Sequence, residues 1–362
     1  MLLIDWDALC YSSACFVSAL FVLEYGADKF IDHTALVAER LGVSQTFIAL
    51  LTAGAEYEEL AVIIAAVLQN RNSLALGNIM GSTISNILGA FSLALLVHPG
   101  RMDFDRSARF YTTILLGVTT MATGLTWAGQ LNRITGSILL VTFALYLLTI
   151  GYAIYRGVVD APDRAETDSD SDSDSGSDAD SVDVESSAQH LSETSRLLGE
   201  GEEIGRHHGW SLSLAYHIVQ LVIGFVCLSL SGYVLARSAT TMAETLNLSG
   251  TVVGFTVVSL ATTLPEKLVA VLGGSRGHSG IVIANTAGSN IFLLTLCVGI
   301  VAVAGGVNLS SETVSLFEMA SVWGSSALLA AVVYLRLGRW MGVVLLAAYI
   351  GFLVLELTVY RR

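Results

Sequence analysis

Proline is almost missing from this chain, with three residues in 362, and charged residues make up only 14% against 53% hydrophobic ones. So little polar material cannot clothe a soluble globule, and so few helix breakers leave long apolar runs intact. The four cysteines, Cys10, Cys15, Cys227 and Cys297, lie in apolar segments without metal-ligand spacing. They read as packing residues, so neither a zinc site nor a redox compartment follows. No basic stripe is present, which removes nucleic-acid binding. No Ser-His, His-Glu-x-x-His or paired-Asp constellation is visible, which leaves little to support an intramembrane enzyme. A basic leader is also lacking before the first apolar run, and Glu24, Asp28 and Lys29 follow it directly. That run is expected to act as its own insertion signal.

What the chain does have is apolar length. Runs at roughly 9–28, 44–68, 74–97, 109–129, 134–156, 212–237, 250–273, 280–304, 314–335 and 340–359 are each long enough to span a bilayer. Segments such as ILLVTFALYLLTIGYAIY are apolar all round, unlike the striped helices of a soluble protein. The expected class is all-α, a polytopic membrane protein of about ten transmembrane helices, five on each side of a polar linker.

The net charge of −13 has a local origin, because residues 160–205 hold 15 of the 31 acids and 2 of the 18 bases. Ser and Asp alternate there with few apolar residues, so the segment is expected to be a disordered, kinase-accessible tether. Within it, Glu193 stands three residues before Arg196 and ahead of the paired Leu197 and Leu198. This has the form of a sorting signal read by coat adaptors, and it favours a vacuolar or endosomal membrane over the plasma membrane. With the N-terminus outside the cytosol, twelve Lys and Arg residues fall in cytosolic loops and five on the other face. That bias puts the linker in the cytosol and inverts one half relative to the other. The sequons at Asn247 and Asn308 both then fall on the outer face. The resulting organisation is a first five-helix repeat at 1–156, a linker at 157–210 and a second repeat at 211–362.

The two halves repeat each other in sequence. One offset of 207 carries Glu59 onto Glu266, Asn78 onto Asn285, Gly81 onto Gly288 and Ser82 onto Ser289. Duplicated apolar segments with ionisable groups at matching positions are the way secondary transporters build a site at the bilayer midplane. Each ionised carboxylate at the centre of a membrane helix costs roughly 2.5–3.5 kcal/mol. Glu56, Glu58 and Glu59 together would therefore penalise one helix by about 8–10 kcal/mol if all were charged and unpaired. A Glu–Lys pair with Lys267 explains one such acid, but not Glu56, Glu58, Glu59 and Glu266 together.

Glu56 and Glu59, at i and i+3, share a helix face, whereas Glu58 points away. Thr52, Ala53, Gly54 and Ala55 surround the first set, and Ser259, Ala261, Thr262 and Thr263 the second. Small residues let helices approach, and near Gly54 and Pro265 the helix loosens so that carbonyls turn toward an ion. Ser82 and Asn86 are i and i+4 and add two oxygens. Their counterparts, Ser289 and Leu293, add one. Hard oxygen donors without His or Cys suit Ca²⁺, Na⁺ or similar cations.

These residues resemble the two alpha-repeats of the sodium/calcium exchanger superfamily of cation/calcium antiporters. Family members carry Gly-Thr-Ser-Leu-Pro-Glu on one helix and Gly-Asn-x-x-Gly-Ser-Asn on the next, in each half. The second copy here reads Ala261-Thr262-Thr263-Leu264-Pro265-Glu266, then Ala284-Asn285-Thr286-Ala287-Gly288-Ser289-Asn290. The first keeps Gly77-Asn78-Ile79-Met80-Gly81-Ser82 and Asn86, after Gly54-Ala55-Glu56-Tyr57-Glu58-Glu59. The motifs occupy about 46–97 and 253–304.

The resemblance implies antiport by alternating access, with no cofactor beyond the transported ions and no enzymatic activity. Glu59 and Glu266 would hold Ca²⁺. Glu56, Thr262, Thr263, Ser82, Asn86 and Ser289 would assist, with the carbonyls of Thr52 and Ser259. The first and sixth helices would slide across the others. Three departures stand out: Leu293 replaces a coupling-ion ligand, Glu56 replaces a hydroxyl residue, and Lys267 lies outside the family pattern. The long stem of Lys267 reaches either Glu58 or the place of a bound cation. Clustered glutamates make H⁺ a rival to Na⁺ as the coupling ion, although Met80 and Ala287 stand where the calcium/proton branch carries an acid. The alternative reading is a transport-inactive relative acting as a membrane scaffold through its acidic linker.

Overall fold

The structure, a computed structural model, describes residues 5–41, 56–100, 102–155, 202–305 and 314–360. Every regular element among them is helical. In chain order these are α1 (Trp6–Arg40), α2 (Tyr57–Leu68), α3 (Asn72–Val97), α4 (Arg106–Trp127), α5 (Arg133–Tyr155) and α6 (Glu202–Leu246). There follow α7 (Gly250–Thr262), α8 (Leu264–Ser275), α9 (Ser279–Ala304), α10 (Leu316–Leu335) and α11 (Trp340–Thr358).

Each of the ten expected runs contains helix among the described residues, but not every one is a span by length and apolarity. Seven helices qualify, and the α7–α8 pair, bent by 49°, makes an eighth if it crosses as one unit. α4 lies outside that set, being diluted by Arg106, Arg109 and several threonines, and α2 has only 12 residues. The first part of the expected second run, 44–55, lies outside the described residues, as do the Ser/Asp tether, Glu193, Leu197 and Leu198.

Two elements are longer than the sequence pattern predicts. α1 runs for 35 residues and α6 for 45, so α6 starts at Glu202, inside the expected linker. No proline lies between there and the span, and without one nothing forces the helix to stop. At 1.5 Å per residue α1 is about 52 Å long, well beyond the roughly 30 Å hydrocarbon layer. α1 and α6 pack side by side along this length. A Cβ on Gly26 would stand 2.6 Å from the Leu228 backbone nitrogen, and one on Gly224 2.6 Å from that of Phe30. Glycine is therefore required at the contact, which brings the two backbones together.

The remaining helices form the body. α3 crosses α7 closely: a Cβ on Gly254 would lie 2.6 Å from the Leu74 carbonyl oxygen and 2.7 Å from the Asn78 nitrogen. α8 and α11 pack on the second half of α3, α4 on α9 and α10, and α5 on the end of α9. The helices close with a shared device, a left-handed residue and a bond reaching back to the last turn. Asn70, Gly129, Asn247, Gly277 and Arg336 take positive φ, and the next residue in each case donates back, as Leu248 N does to Ala243 O at 2.9 Å. Asn247, the asparagine of one sequon, is thus the cap of α6. Asn308 lies outside the described residues.

Candidate functional site

Three interruptions in otherwise continuous helices build the site. α3 carries a π-helical stretch at Ser85–Phe91, α7 one at Gly254–Val258 and α9 one at Leu293–Cys297. π-turns displace the hydrogen-bond ladder and gather at functional positions. The fourth feature is the break between α7 and α8 at Thr263, where φ is −91° and ψ 15°, followed by Pro265 in the first turn of α8. Proline is tolerated there because its missing N–H would be unpaired in any case.

The 207 offset places Glu56 opposite Thr263, and each is the residue preceding a helix that starts in the body of the protein. Glu56 caps α2 as Thr263 caps α8. Glu59 and Glu266 are consequently both third in their helices, within the first turn. Unpaired N–H groups and the helix dipole favour a negative charge at that end, by about 0.3–1 kcal/mol each. Local backbone thus supplies part of what a carboxylate needs when buried in an apolar body.

Glu59 is fully buried. Its Oε1 accepts a hydrogen bond from Thr262 Oγ1 at 3.1 Å, across from α7. Ser82 lies beside the same carboxylate, and Glu266 is close enough for the two charges to act on each other. Glu56, also buried, faces Glu266, with Ser289 alongside. The structure therefore brings Glu59 together with Thr262, Ser82 and Glu266, and Glu56 together with Glu266 and Ser289. Glu59 Oε2, Glu266 Oε2 and both amide atoms of Asn78 and Asn86 are buried without a hydrogen-bond partner among the described residues. Each such orphan costs about 1–3 kcal/mol. A concentration of them marks a place built to be completed by a ligand.

Other expected members are engaged differently. The Ser259 carbonyl already accepts from Thr263 N at 3.2 Å and Thr263 Oγ1 at 2.5 Å, and the Ser259 hydroxyl turns back to Phe255 O at 2.5 Å. Thr263 turns away from Glu59 toward Ser85, 2.8 Å between hydroxyl oxygens. Thr52 lies outside the described residues. Leu293 is fully buried among apolar side chains on α9. Among the described residues no group of three or more His, Cys, Asp or Glu side chains is arranged to hold a metal ion, so bound carboxylates would need hydroxyl, amide or carbonyl oxygens to complete a shell.

Lys267 corrects one expectation. It does not reach Glu58, nor does it pair with a glutamate, since Arg71–Glu244 at 3.0 Å is the sole ion pair among the described residues. Its ammonium instead donates to Ser85 Oγ at 2.8 Å, to the Thr263 carbonyl at 3.1 Å and to Thr263 Oγ1. Glu58 lies near Glu266 and, toward α1, near Glu24 and Asp28. Those two acids, one turn apart on α1 and known from the sequence only as the polar flank of the first run, and Ser85, three residues after Ser82, carried no site role there, although their i, i+4 and i, i+3 spacing was available as a signal.

An all-helical body with apolar spans, paired half-helices and buried, unsatisfied oxygens defines a polytopic membrane transporter. The sequence profile described as sodium/calcium exchanger protein matches residues 11–152 and 216–358. The chain belongs to the sodium/calcium exchanger family, which makes it a transporter and not an enzyme. Inner membrane protein YrbG of Escherichia coli is 26% identical over 291 residues, 80% of this chain and 78% of its own length. Sodium/calcium exchanger MaX1 of Methanosarcina acetivorans is 26% identical over 345 residues, 92% of this chain and 95% of its own. Among solved structures, the sodium-calcium exchanger NCX_Mj, soaked with Na⁺ and Sr²⁺, superposes with a TM-score of 0.56 at 22% identity, covering 98% of this chain and 99% of that one. That likeness concerns the fold.

Proposed function

We propose that this chain is a secondary antiporter that carries Ca²⁺ across a membrane in exchange for Na⁺ or H⁺, through a central site formed by Glu59 and Glu266. One observation carries the reading: two carboxylates at matching positions of the two halves stand in the first turns of short helices, approach each other inside the body and keep buried oxygens without partners. In apolar surroundings that arrangement is unfavourable empty, and a divalent cation is the ligand whose charge and hardness answer it. Glu56, Ser82, Thr262 and Ser289 complete the near set, with Asn86 and Thr263 next to it and the carbonyls of Thr52 and Ser259 available after rearrangement. Alternating access arises as α1 and α6, packed on each other through Gly26 and Gly224, move as a unit over the body. The residues that match the family profile, 11–152 and 216–358, support two repeats at 1–156 and 211–362 around a cytosolic linker. The coat-adaptor signal at Glu193, Leu197 and Leu198, a vacuolar or endosomal location and modification of the Ser/Asp tether by a kinase belong to the same proposal.

The test is uptake of radioactive calcium into proteoliposomes under imposed Na⁺ or H⁺ gradients. The wild-type chain exchanges, and Glu59→Gln or Glu266→Gln abolishes exchange. Transport that survives both substitutions ends the assignment.

A further inference from the structure

The most unusual polar contact in the body is that of Lys267. On α8, next to Glu266, its ammonium sits among three oxygens: Ser85 Oγ at 2.8 Å, the Thr263 carbonyl at 3.1 Å and Thr263 Oγ1. Ser85 and Thr263 are both fully buried. Ser85 Oγ is held in turn by Tyr349 Oη of α11 at 2.9 Å. The lysine stem runs past Gly89 in the π-turn of α3, where a Cβ would stand 3.4 Å from its Cε, in ordinary contact. The carboxylates of Glu266, Glu59 and Glu56 lie near enough for their charges to act on the ammonium. Hydroxyls and a carbonyl arranged around one positive charge, beside carboxylates, are the donors a small monovalent metal ion takes.

The mirrored position lacks this oxygen cage. The 207 offset carries Lys267 onto Leu60, Ser85 onto Phe292 and Gly89 onto Leu296, all apolar, and it carries Thr263 onto Glu56. Relative to a symmetric pair of half-sites, one half has acquired a fixed base and the other a carboxylate. Glu56, Glu59 and Glu266 thus share their surroundings with one ammonium.

We propose that the Lys267 ammonium is a tethered cation that fills the Ser85–Thr263 oxygen cage, so that each transport cycle carries one coupling cation fewer than the same site without the lysine. The inference rests on the antiporter reading above and extends it to stoichiometry. Removing the ammonium while keeping the cage exposes Ser85 Oγ, Thr263 Oγ1 and the Thr263 carbonyl to Na⁺.

The experiment compares full-length wild type, Lys267→Ala and Lys267→Arg by equilibrium binding of radioactive sodium to purified protein, and by calcium exchange in proteoliposomes under a clamped voltage. Lys267→Ala is expected to bind about one more Na⁺ per chain. Its calcium flux should show a Na⁺ Hill coefficient raised by about one and a reversal voltage displaced as for one additional elementary charge per cycle. Lys267→Arg keeps the wild-type sodium count. An alanine variant that elutes as a folded species and binds the same number of Na⁺ as wild type overturns the proposal, whether or not it still transports, and assigns Lys267 a purely structural part. Wild type that fails to exchange calcium under either gradient overturns the antiporter reading instead, and the sodium-binding comparison separates the two failures.

Discussion

Thr262 offers the sharpest probe of how the site is held ready. Its hydroxyl, fully buried, donates toward Glu59 Oε1 and toward the Val258 carbonyl, both at 3.1 Å. One proton shared between two acceptors contributes less to either than an undivided bond to a charged group, which is typically about 1.5–3 kcal/mol. Replacement by valine keeps the shape and removes the donor. The sign of the effect depends on whether Thr262 orients Glu59 or competes with the ion. Glu59 Oε2 is left without a partner, so a cation can bind there while Oε1 stays hydrogen-bonded, and the hydroxyl acts as an orienting group. Losing about 1–2 kcal/mol of that preorganisation weakens ion affinity by roughly 5- to 30-fold. Calcium concentration dependence of exchange in proteoliposomes measures it, with Thr262→Ser as the control that restores the donor and affinity to within about threefold. An unchanged or tighter affinity in Thr262→Val, with wild-type thermal stability in detergent, would refute the argument, since it would make the hydroxyl a bystander or a competitor.

Two further outcomes follow from the packing and the linker. Gly254→Val places a Cβ 2.6 Å from the Leu74 carbonyl oxygen, where α3 and α7 cross. A separation of the two helices is expected, costing about 1–3 kcal/mol, read as a lowered unfolding midpoint, and a midpoint equal to wild type would show that the crossing yields freely. Deletion of residues 160–205 removes 15 acids and 2 bases but none of the site. Calcium flux should survive it, with distribution between membranes or regulation altered, whereas abolished flux in a correctly inserted protein would favour a scaffold or gating role for the tether.

How far the sequence spoke can be judged residue by residue. The helical class follows from uniform apolarity, because a run such as residues 138–155 has no polar face to turn toward water. Glu59 and Glu266 were legible because a carboxylate inside an apolar run is expensive and because one offset relates the two. Element length was less legible. Hydropathy measures the part of a helix that lipid covers, and α1 and α6 continue past it through polar residues that a helix accepts as readily as a loop does. The break at Thr263 was half visible in Pro265, but the π-turns at Ser85–Phe91, Gly254–Val258 and Leu293–Cys297 leave no compositional mark. They arise from packing between helices, which a single chain read in order does not display. Lys267 shows the same limit. Its ammonium is held by Ser85, 182 positions before it, and Tyr349, 82 positions after it, holds Ser85 in turn.

The asymmetry of the two halves is where this chain departs from its own repeat. A duplicated scaffold delivers two helix starts, after Glu56 and Thr263, and two first-turn glutamates. Binding a cation between the halves requires only that duplication. Coupling its movement to a second ion requires more, because two identical half-sites would bind alike and give no reason for one ion to exclude another. Three of the differences between the halves act on charge or on oxygen supply: an acid at Glu56 opposite a hydroxyl at Thr263, a base at Lys267 opposite Leu60, an amide at Asn86 opposite Leu293. Each lies in or next to the site, and none lies at the α1–α6 contact that would carry the motion. A variant search aimed at altering coupling should begin at those three pairs of positions.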